Sequence, residues 1–240
     1  MTHTASRLKQ VEGLVQAISA INHAHQAARA AYERVIAEIR RVLSNRQTPV
    51  VVALDGGSGA GKSTLAALIE RALDATVIPL DDFFSADIAD ERWDEFTVEE
   101  KLEHVFDWER MRDQAIAPLL EGRVARWHAF DFESGLRPDG TYGMRAEATE
   151  REPADVILIE GAYAAGPALA DLVDLSILVD VPVEQRDARL RSREDSDFLE
   201  TWHKRWDPAE SYYFNHVRPK SSFGLVVRPV EGIPDHGQRP

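Results

Sequence analysis

Apolar positions along this chain follow two rhythms. Between residues 5 and 44, Leu14, Ala17, Ile18 and Ile21, then Val35, Ile36, Ile39, Val42 and Leu43, recur three or four apart without a proline. That spacing predicts helix. The stretch SNRQTP closes the region, and at PVVVALD (49–55) the rhythm changes to a β-branched run, the mark of a strand covered on both faces. Leu65, Leu68, Ile69 and Ala72 then return to helical spacing.

The same reading continues to the end. ATVIPLDDFF (75–84) predicts a second strand ending in two carboxylates and two aromatics, and SADIADERWDEFT (85–97) is polar and irregular. DWERMRDQAIAPLLEG (107–122) predicts a helix stopped near Gly122. RVARWHAFDFESG and GTYGMRAEATE alternate like antiparallel strands around the turn RPDG. ADVILIEGAY and VDLSILVDVP read as buried strands, and VEQRDARLRSRED opens a helix rich in arginine. FLETWHKRWDPAESYYFNHV predicts a further helix with a break or kink at Pro208; FGLVVRP is the last strand and VEGIPDHGQRP a frayed tail. Strands separated by helices predict an α/β fold of three layers around a mainly parallel sheet. An inserted β-hairpin and an N-terminal helical extension complete it. The expected boundaries are 1–45 for the extension, 46–230 for the main domain and 231–240 for the tail. Within the main domain, 123–148 is the hairpin and 184–200 a basic segment. The N-terminal stripe could cover the domain, support a neighbouring site or offer a surface for self-association.

Composition narrows the classes. The chain has 240 residues, 44% of them hydrophobic, and carries 28 Lys+Arg against 41 Asp+Glu, a net charge of −13. That length suits one substantial domain, and that balance argues against a nucleic-acid partner. Cysteine is absent, so disulfides and Cys-based zinc sites are impossible, and a cytoplasmic location is expected. No apolar run approaches the length that spans a bilayer, so no membrane partner is expected, and the start lacks the apolar core of a signal peptide. The eight histidines show no metal-ligand spacing.

The chemistry begins between the first predicted strand and the helix after it. Gly56, Gly57, Ser58, Gly59, Ala60, Gly61, Lys62, Ser63 and Thr64 contain the pattern G-x-x-x-x-G-K-[ST], the phosphate-cradling P-loop or Walker A motif. Backbone N–H groups and the helix dipole favour an anion there. Lys62 is expected to reach the β- and γ-phosphates and Ser63 to bind Mg²⁺. Ligands in such sheets sit at the carboxyl ends of the strands, which directs attention to Asp55, Asp81 and Glu160 and the loops beside them. A carboxylate at Asp81 could take a proton from an acceptor hydroxyl or order metal-bound water; a helix cap is the plain alternative. Glu160, at the end of VILIE, reads as the carboxylate that orders the Mg²⁺ shell. Arg186, Arg189 and Arg193 could close over a triphosphate as a lid or pair along a surface helix.

GGSGAGKST, PLDDFF, FDFESGLR, DVILIEGAY and the arginine-rich segment occur in the order seen in uridine kinase-like proteins, and residues 49–228 resemble that family, which adjoins pantothenate kinase and phosphoribulokinase. The resemblance implies an ATP-dependent phosphotransferase with Mg²⁺ as cofactor, acting on a small-molecule hydroxyl, a nucleoside first. It also implies Asp81 as the catalytic carboxylate and a second contact with the metal, Lys62, Arg186 and Arg193 as catalytic cations, and a hairpin that covers the acceptor. Asp82, Phe83, Trp127, Phe130, Asp131, Arg137 and Tyr163 are the expected acceptor-side residues, the aromatics among them either stacking on a ring or flooring the hairpin. Gly135 stands where the family's base-contacting histidine is expected, and the family's Asp-rich, proline-containing stretch survives only as Phe106 and Asp107. Uridine is therefore expected to be a mediocre acceptor. A vitamin, sugar or antibiotic-like alcohol, or an NTPase switch without an acceptor, are the competing readings.

Overall fold

The computed structural model describes residues 26, 28–46, 49–192 and 196–228. Five parallel strands form the main sheet: β1 (Val50–Asp55), β2 (Ala75–Pro79), β5 (Val156–Glu160), β6 (Leu175–Val179) and β7 (Leu225–Val227), in the order β2-β5-β1-β6-β7. β1 and β5 are buried along their whole length, as expected for strands with both faces covered. Alternate residues serve opposite layers. Val51 and Ala53 join one apolar cluster, and Val50, Val52 and Leu54 join the other.

The second cluster is sealed by two helices. α2 (Lys62–Ala72) buries Leu65, Ala66 and Ile69. α1 (28–43) buries Val35, Ile36 and Ile39 against the same layer. The described part of the N-terminal apolar stripe therefore covers the sheet; its first half, with Leu14, Ala17, Ile18 and Ile21, lies outside the described residues. The tail expected at 231–240 lies outside them too.

The other face carries α3 (Val98–His104), α4 (Trp108–Met111), a π-helical turn at Arg112–Ile116, α5 (Ala117–Leu120) and the long α7 (Ser196–Tyr212). α3 starts with a full capping box between Thr97 and Glu100. α6 (Val183–Arg191) leads from β6 toward α7. The hairpin is present as β3 (Ala125–Asp131) and β4 (Gly143–Arg151), antiparallel, with a register shift between His128 and Phe130. Two sequence expectations change. The second strand stops at Pro79, and LDDF forms a 3₁₀ turn, Leu80–Phe83. Pro208 does not break its helix: α7 runs through it and ends in a second π-helical turn, Tyr213–Val217. Among the described residues no helix is long and apolar enough to cross a membrane.

Candidate active site

Strand register builds the site. Leu54, Glu160 and Pro79 lie in one row across β1, β5 and β2. One step beyond that row come Asp55 and Gly56, Gly161, and the Leu80–Asp81 turn, so residues distant in sequence meet at one sheet edge. Gly161 has φ +159°, and a Cβ there would lie 2.5 Å from the Leu80 Cβ. The sequence needs glycine at that position because the turn bearing Asp81 presses directly on the end of β5.

The P-loop occupies this edge. Gly61 caps α2 at φ +87°, a left-handed conformation that costs glycine little. Lys62 Nζ donates to the Gly57 carbonyl at 3.2 Å. Ser63 Oγ donates to Glu160 Oε1 at 2.9 Å, while Ser63 itself remains solvent-exposed. Thr64 follows in the first turn of α2. A hydroxyl and a carboxylate at the start of a P-loop helix suit a hard cation. No group of three or more His, Cys, Asp or Glu side chains converges on a metal position among the described residues. Ser63 and Glu160 are the residues that would hold Mg²⁺, with Asp81 at the same sheet edge, and Mg²⁺ habitually keeps waters and binds together with phosphates.

The basic helix α6 closes over the loop. Arg186 Nη1 donates to the Ser58 carbonyl at 2.9 Å and Nη2 to Glu210 Oε1 at 2.6 Å; its guanidinium lies where a side chain on Gly57 would be. Arg189 Nη1 donates to the Gly59 carbonyl at 3.1 Å. These two arginines, three apart on one helix face, bring their charge to the P-loop. Arg193 lies outside the described residues.

On the acceptor side the predicted residues separate. Asp81 is exposed at the sheet edge, whereas Asp82 turns inward and accepts the Trp127 indole N–H at 2.8 Å. Burial raises the pKa of Asp82, the indole hydrogen bond lowers it, and neighbouring Asp81 adds to the rise. Phe83 and Trp127 are buried, with ring centroids 5.5 Å apart, and Arg110 stacks over Phe83 at 4.6 Å. Phe130 is buried against Phe84, Phe132 and Tyr142. Trp127, Phe83 and Phe130 thus floor the hairpin. Asp131 Oδ1 accepts the backbone N–H groups of Glu133 and Ser134, fixing the turn at the hairpin tip. Arg137 closes the loop through its backbone, bonded to the Thr141 carbonyl. Tyr163 has φ 73° and is buried beside Tyr213 and Phe106. Gly135 is exposed at φ +68° with nothing within 4 Å of a Cβ position.

The contacts of Asp55, and the parts played by Glu210 and Arg205, escaped the reading of the sequence. Asp55 is fully buried at the end of β1 and accepts four hydrogen bonds, from the N–H groups of Gly56 (2.6 Å), Tyr163 (3.0 Å) and Ala165 (2.9 Å) and from the Tyr213 hydroxyl (2.6 Å). Burial pushes its pKa up, while those donors and the charge of Lys62 pull it down. The place of Asp55 at the end of a buried strand was legible in the sequence, but its partners beyond Gly56, 108 to 158 positions away, were not. Glu210 accepts the Ser58 N–H at 3.1 Å across 152 positions, for which local sequence carries no signal. Arg205 pairs with both Asp90 and Asp94, and Tyr142 donates to Asp90, tying the polar segment 85–97 to α7 and the hairpin.

Comparison with known proteins gives the family. A uridine kinase of Streptococcus uberis is 26% identical over 200 residues, covering 78% of this chain and 89% of that protein. A uridine kinase of Ligilactobacillus salivarius is 26% identical over 203 residues, covering 79% and 90%. A solved structure described as a possible uridine kinase from Bacillus stearothermophilus has the same fold, with a TM-score of 0.60 at 20% identity over 83% of this chain and 98% of that one. The model of the phosphoribulokinase/uridine kinase family matches residues 51–227. With a P-loop, a carboxylate on its serine and an acidic turn at one sheet edge, the chain belongs to the phosphoribulokinase/uridine kinase family of phosphotransferases that act on a hydroxyl.

Proposed function

We propose that the chain transfers the γ-phosphoryl group of ATP to the hydroxyl of a small molecule, with a nucleoside as the leading acceptor. The observation that carries this reading is the row Leu54–Glu160–Pro79, which sets the P-loop, the Ser63–Glu160 pair and Asp81 along one edge. Phosphoryl transfer asks a protein mainly for positioning and charge stabilisation, and these groups meet that demand. Lys62 and Arg186 neutralise charge on the phosphates, and Asp81 accepts the proton of the attacking hydroxyl. Ser63 and Glu160 hold Mg²⁺, which supplies charge neutralisation for the triphosphate.

The nucleoside assignment rests on relatives named uridine kinase at about a quarter identity. Gly135 favours a second reading, an alcohol other than uridine, because the exposed glycine brings no polar side chain to a base edge. A site lacking a polar contact loses discrimination along with affinity. ADP release, measured without acceptor and then with nucleosides, vitamins and sugars, tests both. A kinase stays nearly idle until an acceptor is supplied; hydrolysis that no acceptor stimulates would instead identify a nucleotide switch. Uridine and cytidine are expected to give kcat/KM below about 10⁴ M⁻¹s⁻¹, the low end for natural pairs.

A further inference from the structure

The end of α7 and the start of the π-helical turn that follows it grip the first half of the P-loop at two points. Glu210 and Tyr213 are three apart, so they share a helix face. Tyr213 donates its hydroxyl to Asp55, which also holds the Gly56 N–H, and Glu210 accepts the Ser58 N–H while paired with Arg186. Gly56 and Ser58 are the first and third positions of the phosphate motif. Neither contact lies within reach of local sequence: 158 positions separate Tyr213 from Asp55 and 152 separate Glu210 from Ser58. The Asp55 carboxylate also takes the N–H groups of Tyr163 and Ala165, just past Glu160. One buried carboxylate therefore ties the P-loop entrance, the segment after the Glu160 strand and the end of α7.

We propose that this junction is a clamp on the phosphate loop, with Tyr213, through Asp55, and Glu210 acting as positioning residues for the triphosphate. The physical basis is preorganisation. Glycine-rich backbone loses much conformational freedom when it orders, and a loop already held in its binding shape pays less of that cost when phosphate arrives. Tyr213 is suited to the task because its ring is buried against Tyr163 and Phe214, leaving the hydroxyl one direction to point. Earlier on the same helix, Arg205 and Trp206 hold segment 85–97 through Asp90, Asp94 and Trp93. α7 therefore touches both the acceptor-side segment and the nucleotide loop.

The test uses the full chain with Tyr213→Phe, which removes one hydroxyl and keeps the ring, and Glu210→Ala. Equilibrium binding of Mg·ATP is measured by calorimetry, and backbone amide exchange is followed in the P-loop and across the sheet. Tyr213→Phe is expected to weaken Mg·ATP three- to tenfold and to speed exchange at Gly56, with strand amides of β5 and β6 unchanged. Glu210→Ala is expected to speed exchange at Ser58 in the same local manner. An ATP affinity within twofold of the parent in Tyr213→Phe overturns the proposal. So does exchange that rises equally throughout the sheet, which would mark Tyr213 as a general stability contact. Because the readout is nucleotide binding, failure of the clamp is distinguishable from an error about the acceptor.

Discussion

Ser63 and Glu160 are 97 positions apart, yet the serine hydroxyl meets the glutamate carboxylate at 2.9 Å. The contact exists because β1 and β5 are neighbours in register, so the residue that ends one strand lies beside the loop that leaves the other. It joins the helix that follows the P-loop to the strand that ends in an acid.

Glu160→Gln is expected to raise the Mg²⁺ concentration needed for half-maximal activity by roughly tenfold, in line with the weaker pull of a neutral ligand on a hard cation. Ser63→Ala should move the same quantity in the same direction. A magnesium titration at saturating ATP checks both, and an unchanged midpoint in Glu160→Gln removes that residue from the metal site.

Lys62→Ala is expected to abolish turnover, because a positive charge on the phosphates is lost where transferring charge must be stabilised. Steady-state ADP release at saturating ATP reads this directly. Near-normal rates would take Lys62 out of the mechanism.

Asp81 and Asp82 should part company. Asp81→Asn is expected to keep ATP binding and cut phosphoryl transfer by roughly a hundredfold or more, the range for a lost general base. Asp82 is turned onto the Trp127 indole, so Asp82→Ala should act on the fold, leaving the donor of a buried side chain unpaired at a cost of about 1–3 kcal/mol. Melting temperature and kcat measured on both variants separate the roles; a stable, inactive Asp82→Asn beside an active Asp81→Asn would reverse the assignment.

Arg205 should give the protein a measurable acid sensitivity. Its guanidinium holds Asp90 and Asp94 below the usual carboxylate range, the Asp90 shift led by that hydrogen bond and assisted by Tyr142. A carboxylate with a depressed folded pKa stabilises the fold above its unfolded pKa, about 3.9, and loses that contribution as pH falls through the folded value. Arg205→Met should cost about 2 kcal/mol near neutrality, the scale of hydrogen bonds to a charged group. It should also flatten the decline below pH 4. Urea unfolding at pH 7 and pH 3 checks this: the gap between parent and variant must narrow in acid.

What the sequence determined by itself was the set of local decisions. The β-branched run ending at Asp55, the glycines, and Lys62 with Ser63 specify strand, loop and helix from neighbouring residues, so the P-loop is legible without a structure. The hairpin was legible for the same reason, because strand alternation and the turn around Gly140 are short-range signals. Tertiary structure decided what side chains with two chemical options do. Asp81 and Asp82 are adjacent and identical in type, yet a 3₁₀ turn exposes one and turns the other, half-buried, onto an indole. Trp127, Phe83 and Phe130 could have faced a ligand ring, but the hairpin folds them inward, since aromatic area removed from water is the larger gain. The partners of Asp55 and Ser58 come from Tyr213 and Glu210, more than 150 positions away. Such contacts follow from how α7 lies across the edge of a parallel sheet, and hydrophobic periodicity fixes which face of a helix is buried without saying which loop its last turn will meet.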